Sequence, residues 1–119
     1  MLRLLIAQVC PQSIELGNPQ VSRDYSDRED VVAAYVALLE SQATSEIVNI
    51  CSGRAIALLD IAAMMKEISG HDIEVRVNPD FVRDNEIPRL VGSPAKLRSL
   101  VTLSQPLAFP ETLRRMYGA

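Results

Sequence analysis

The chain has 119 residues, 48% of them apolar, and a formal net charge of −3. That length supports one modest hydrophobic core, and the mixed, mildly acidic charge argues against a nucleic-acid binder, which usually carries a basic stripe. Its two cysteines, Cys10 and Cys51, show neither metal-ligand spacing nor a disulfide framework, and a single histidine, His71, adds no ligand set. The expectation is therefore free thiols in a reducing cytosol and no metal.

The apolar start, Met1 to Ala7, superficially looks like a signal peptide. Its run is short, is interrupted by Gln8 and lacks a small-residue cleavage site. Leu2, Leu5, Ile6 and Val9 fall at helical spacing, which predicts an amphipathic helix over 2–9, ended by Pro11. No stretch approaches the roughly 20 apolar residues of a membrane span, so a soluble, cytoplasmic protein without a membrane partner is expected. Ile14 to Leu16 reads as a brief strand, after which Gly17-Asn18-Pro19 turns the chain into a loop carrying Arg23.

The next helix is predicted to start at Ser26 or Asp27 and to run to about Gln42. Ser26 and Glu29 form a capping box, and Asp27, Glu29 and Asp30 suit the positive end of the helix dipole. Glu46 to Ile50 is rich in β-branched residues and predicts a buried strand that delivers Cys51-Ser52-Gly53 as a turn. A helix over 57–69 carries Leu58, Ile61, Ala62, Met65 and Ile68 on one stripe and stops at Gly70. Ile73 to Val77 alternates strictly, as a strand with one wet face does. Residues 78–93 are irregular and charged, and short helices over 94–100 and 110–117 close the chain. Alternating helices and strands favour an α/β or α+β fold.

Three clusters have the residue types for chemistry. Arg23 stands beside the capped helix, where it could hold an anion or pair with Asp24 or Asp27. Asn49 with Cys51-Ser52-Gly53 ends a strand in a small-residue turn, the kind of place where α/β folds bind ligands. Cys51 has no evident base to activate it as a nucleophile. Arg83 and Glu86 lie three apart on a loop; a guanidinium grips phosphate by a charged fork and a carboxylate accepts from ribose hydroxyls, unless the two simply pair. The chain has ten arginines against two lysines, a skew that suits phosphate binding and that GC-rich codon usage also produces. No Gly-x-Gly-x-x-Gly loop occurs, and neither Tyr25 nor Tyr35 has a lysine four residues later.

Taken in order, Gly17-Asn18, Arg23-Asp24-Tyr25 running into Asp27 to Val32, Ile47 to Gly53, Arg83 to Gly92 and Lys96-Leu97-Arg98 form a set. From about residue 14 onward it resembles the C-terminal portion of extended short-chain dehydrogenase/reductase enzymes that act on nucleotide sugars. The resemblance is greatest to the GDP-mannose 4,6-dehydratases and GDP-4-keto-6-deoxymannose reductases. It implies an α/β fold, a small mixed substrate lobe over 1–119, without the dinucleotide-binding half of the Rossmann-like enzyme. It implies Arg23 and Arg83 at the nucleotide diphosphate, Glu86 at ribose hydroxyls, and Asn49 and Ser52 near the cleft between lobes. The NAD(P) loop and the catalytic Tyr/Lys pair lie upstream in such enzymes, so no catalytic residue and no cofactor are assigned to this chain alone. Its implied ligand is a GDP-sugar.

Two positions depart from the family pattern. Ser93 stands where an aspartate is usual, and Thr102 to Gln105 replace a usual Gly-Trp. A lone lobe would also expose the apolar faces that normally meet the other half, namely Val31, Tyr35, Leu38, Ile47 and Ile50. Faces of that size seek partners, so homo-oligomerisation is expected. The alternative class is a non-catalytic interaction or assembly module on the same scaffold.

Overall fold

The computed structural model describes residues 13–118. The helix expected over 2–9 and Cys10 lie outside the described residues. Strand β1 (Ser13–Leu16) comes where Ile14 to Leu16 predicts it, and helix α1 (Arg28–Glu40) follows the short strand β2 (Ser22–Asp24). Strand β3 (Ala55–Ala57) leads directly into α2 (Leu58–Ser69), and β4 (Glu74–Val77) precedes a 3-10 turn at Pro79–Phe81. Strand β5 (Arg89–Leu90), α3 (Ala95–Leu100) and α4 (Phe109–Gly118) complete the order.

The strands form two small sheets. In one, β1 pairs in parallel with β4, from Ser13 opposite Glu74 to Leu16 opposite Val77. Gly17 leaves this pair so close to the Phe81 carbonyl that a Cβ there would collide with backbone, which accounts for glycine at that turn. In the other, β2 lies between β3, antiparallel, and β5, parallel. Arg23 thus stands on a central strand and not on a loop. Strands of two and three residues are too short to display a period of two, and their pairing is wholly non-local.

Helix α2 begins without a side-chain cap. Its first donors are taken by the chain entering β2 instead, with Leu58 N donating to Val21 O at 3.2 Å and Leu59 N to Pro19 O at 3.2 Å. It ends at Gly70 in the left-handed region, φ 70°, where the Gly70 N–H reaches Lys66 O at 2.9 Å. Met65 of α2 and Leu113 of α4 are buried together, packed by Ile61, Ile68, Ile73 and Phe109.

Helix α1 corrects the expected cap. Asp27, not Ser26, is the N-cap residue: its Oδ1 accepts from Glu29 N at 2.8 Å, so the Ser26–Glu29 box is not formed. A carboxylate offers two oxygens, and Asp27 uses both, since Oδ2 accepts from Thr112 Oγ1 at 2.8 Å. Its neighbours follow the same route. Leu107 N donates to Asp30 Oδ2 at 2.9 Å, and Arg115 meets Glu29 Oε2 at 3.1 Å. The three acidic residues therefore fasten the start of α1 to the C-terminal segment, in addition to complementing the helix dipole.

The strand expected over Glu46 to Ile50 does not form. Residues 46–50 carry no strand pairing, and Ile47 is 90% exposed. β-Branched residues favour a pleated conformation only when a partner strand supplies the ladder, and among the described residues none lies alongside. The exposed apolar face also differs in part from expectation. Tyr35 and Ile47 are exposed, whereas Val31, Leu38 and Ile50 are half-buried; Val32, Val36 and Leu39 complete an exposed stripe with Tyr35. Both sides of α1 are apolar, so periodicity alone could not select the outward one.

The described core is thin, with Val21, Ala34, Met65, Leu97 and Leu113 as its buried apolar residues. The radius of gyration is 17.0 Å, against about 13 Å for a compact chain near this length. A solvent-accessible surface of 8709 Å² likewise exceeds the roughly 6400 Å² that a compact 13.1 kDa protein exposes. Local links thus matter more than usual. Asp27→Ala, which removes both the cap and the Thr112 bond, should lower unfolding stability by about 2 kcal/mol. Asp27→Ser, able to keep the cap alone, should fall between that variant and the wild type in urea denaturation.

Candidate functional site

Asp24 ends the central strand β2 at the point where backbone pairing stops, and its carboxylate takes over the pairing. Oδ1 accepts from Ser52 N at 2.8 Å and Ser52 Oγ at 2.6 Å. Oδ2 accepts from Gly53 N at 2.9 Å and Gly92 N at 3.3 Å. These donors come from the turn before β3 and the segment after β5, so one side chain joins both neighbouring strands to β2. Gly53 supports this with φ 78°, which aims its N–H inward without the penalty a Cβ would bring. At Gly92 a Cβ would lie 2.6 Å from Cys51 Sγ, so glycine lets the two segments touch.

Burial alone would raise the Asp24 carboxyl, but the bonds from the Ser52 hydroxyl and from the Ser52, Gly53 and Gly92 amides outweigh it and hold its pKa below the usual value. Asp27 is also lowered, by the Glu29 amide first and then by the Thr112 hydroxyl. Cys51 moves the other way. Burial and then the Asp24 carboxylate raise its thiol pKa, against weaker pulls from the Gly53 amide and Arg98. Burial and the Asp24 charge both disfavour the thiolate that a nucleophile needs.

Arg23 turns away from Asp24 and Asp27, the partners open to it in the sequence. Its Nη1 donates to Ser22 O at 2.9 Å and Ile87 O at 2.7 Å, and its Nη2 lies 3.9 Å from Glu86 Oε1. The other carboxylate oxygen, Glu86 Oε2, is buried without a hydrogen-bond partner among the described residues. Arg83 begins the same turn, its carbonyl accepting from Glu86 N at 3.3 Å. The Arg83 residue is exposed, and among the described residues its guanidinium makes no ion pair.

The five residues singled out in the sequence thus fall into two groups. Arg23 and Glu86 approach each other just before β5, Arg83 begins the same turn with an exposed side chain, and Ser52 is joined to Arg23's strand through Asp24. Asn49 lines a separate open cavity of about 560 Å³ with Tyr35, Leu38, Ile50, Cys51 and Gly92, and none of the three charged residues borders it. Sequence reasoning missed Asp24, which looked only like a possible partner for Arg23. The available signal was an acidic residue at a strand end together with two distant glycine-containing turns, and spacing alone does not connect them. Among the described residues no cluster of three or more His, Cys, Asp or Glu is arranged to hold a metal.

The lowered carboxyls set a direction for acid stability. In the unfolded chain an aspartate titrates near 3.9. Asp24 and Asp27 therefore contribute stability that is fully present above that pH and is lost as pH falls through their lower folded values. Thermal unfolding followed from neutral pH to about pH 2 should show a flatter acid limb for Asp24→Asn than for the wild type.

With this geometry in place, comparison with known proteins is informative. The family model for GDP-mannose 4,6 dehydratase matches residues 3–116. The chain is 33% identical over 90 residues to GDP-6-deoxy-D-talose 4-dehydrogenase of Aggregatibacter actinomycetemcomitans, covering 76% of this chain and 31% of the relative. A crystal structure from Burkholderia cenocepacia J2315 is 43% identical, with a TM-score of 0.88 over 99% of this chain and 40% of that one. The structure of RMD from Pseudomonas aeruginosa complexed with NADPH shares the fold at 24% identity, with a TM-score of 0.86 over 98% of this chain and 38% of that one. The chain spans about a third of the length of the curated relatives it matches. It belongs to the GDP-mannose 4,6 dehydratase family of nucleotide-sugar enzymes and corresponds to the C-terminal part of an extended short-chain dehydrogenase/reductase.

Proposed function

We propose that this chain is the nucleotide-sugar-binding part of an NAD(P)-dependent dehydratase or reductase and that its ligand is a GDP-sugar. Arg23 and Arg83 face the diphosphate, and Glu86 accepts from ribose hydroxyls. Asn49 and Ser52 lie toward the cleft shared with the cofactor-binding half. Hydride transfer at the sugar C4 carbon belongs to the whole enzyme, whose other half supplies the NAD(P) loop and the Tyr/Lys pair; the chain alone does not perform it.

The observation that carries this reading is the state of Glu86. One oxygen faces the Arg23 guanidinium at 3.9 Å while the other is buried and unpartnered. Buried polar atoms are nearly always satisfied, and an unpartnered acceptor on a carboxylate that faces an arginine suits a ligand that brings both hydroxyl donors and negative charge. Among the described residues no helix is long and apolar enough to cross a membrane. Calorimetry with GDP-mannose should give heat for the wild type. Arg83→Ala should weaken binding about 10-fold or more, the worth of one charge-assisted hydrogen bond. Heat that is absent for the wild type, or unchanged in Arg83→Ala, counts against the site.

The alternative reading, an assembly module, draws on the stripe of Val32, Tyr35, Val36 and Leu39, which are 59%, 59%, 48% and 85% exposed. The surface in excess of a compact chain, roughly 2300 Å², is the size of an obligate interface. In this reading a second copy of the chain covers the stripe, giving a homo-oligomer. Light scattering should report a mass above 13.1 kDa that returns to the monomer value in Leu39→Lys. A clean monomer for the wild type at high concentration rejects self-association.

A further inference from the structure

We infer that Asp24 is a positioning residue for the nucleotide-sugar site: its carboxylate sets the placement of β5 against β2 and thereby brings Glu86 to Arg23. The inference rests on the binding role proposed for Arg23, Arg83 and Glu86, and it assigns to Asp24 a part in that site without contact with ligand.

Backbone pairing between β2 and β5 covers only Ser22 opposite Arg89 and Arg23 opposite Leu90. With β3 it ends at Asp24 opposite Ala55. So short a ladder leaves β5 free to slip or peel, since each backbone bond adds little net stability. The ladder bond itself is Ser22 N to Pro88 O at 2.9 Å. Outside the ladder two side chains of β2 restrain β5, Arg23 Nη1 donating to Ile87 O at 2.7 Å before it and Asp24 Oδ2 accepting from Gly92 N at 3.3 Å after it. The Arg23 side chain reaches back along β5 to Ile87 O and Glu86, four residues before Leu90. A shift of β5 by one residue would move Glu86 by about 3.3 Å, more than enough to open the Arg23–Glu86 approach.

The same carboxylate holds Ser52 and Gly53, so β3 and β5 are fixed relative to β2 by one group. An asparagine cannot replace it. It keeps an acceptor for Ser52 but presents an N–H₂ toward the Gly53 and Gly92 donors, or the reverse if the amide is turned over. With the amide nitrogen toward Gly53 and Gly92 both flanking segments lose a bond, with it toward Ser52 the β3 side does, and in either case volume is kept while one negative charge beside Arg23 is removed.

The test is a double-mutant cycle read by GDP-mannose calorimetry on the full chain, with Asp24→Asn and Glu86→Gln alone and combined. Asp24→Asn should weaken binding about 10-fold, and Glu86→Gln should cost clearly less in the Asp24→Asn background than in the wild type, since contacting or coupled groups are non-additive. Additive losses, which a purely stabilising role for Asp24 would give in folded protein, overturn the inference and leave the binding site standing. Wild-type protein that binds no GDP-mannose overturns both. Should Asp24→Asn fail to fold, Gly92→Ala serves in its place, because its Cβ would meet Cys51 Sγ at 2.6 Å and push Gly92 away from Asp24. The same loss of affinity, coupled to Glu86→Gln, is expected there, and an unchanged affinity overturns the proposal.

Discussion

One carboxylate holds the mixed sheet of this protein together. The strands around β2 are two and three residues long, too short for a ladder to define their register strongly. Asp24 replaces the missing backbone pairs with four hydrogen bonds to a charged acceptor, three of them from main-chain amides. Such bonds are shorter and about twice as strong as neutral ones. Gly53 and Gly92 are the backbone counterparts of that choice, the first through its positive φ and the second through its contact with Cys51.

A second set of carboxylates works in the same way at the start of α1. Asp27, Glu29 and Asp30 have the composition of a helix N-terminus, and dipole and capping arguments suffice to account for them locally. Each also has a partner more than seventy residues away, in Thr112, Arg115 and Leu107. The C-terminal segment is thereby clasped to α1, and the Tyr25 and Phe109 rings, 5.3 Å apart, add an apolar contact beside the clasp. Local rules and tertiary links do not compete here, because a carboxylate has a second oxygen to give.

These polar fasteners stand in for a core that is thin. Few apolar residues are buried, α1 shows an apolar stripe to solvent, and residues 46–50 find no strand partner. The chain corresponds to the C-terminal part of an extended short-chain dehydrogenase/reductase and spans about a third of the length of its curated relatives. The nucleotide-sugar site we propose lies around Arg23 and Glu86, where one carboxylate oxygen is left without a partner among the described residues, while the cavity containing Asn49 opens next to the apolar side.

Much of this was legible in the residues alone. Capping and dipole signals located α1, periodicity located α2 and β4, and Gly70 marked the end of α2 through a conformation that only its missing Cβ makes cheap. The ordered motifs around Arg23 and Arg83 to Gly92 carried the family. What the residues could not reveal were features made by distance. Strands β2, β3 and β5 exist only because three remote segments meet; Asp27 both caps α1 and binds Thr112; and Glu46 to Ile50 has strand-forming side chains with no ladder to join among the described residues. The sequence by itself determined helices, turns and the chemical types available for a site. Only the tertiary structure decided that Arg23 faces Glu86 and that Asp24 is the group joining the strands, because hydrogen bonds between segments 28 to 68 residues apart have no local signature.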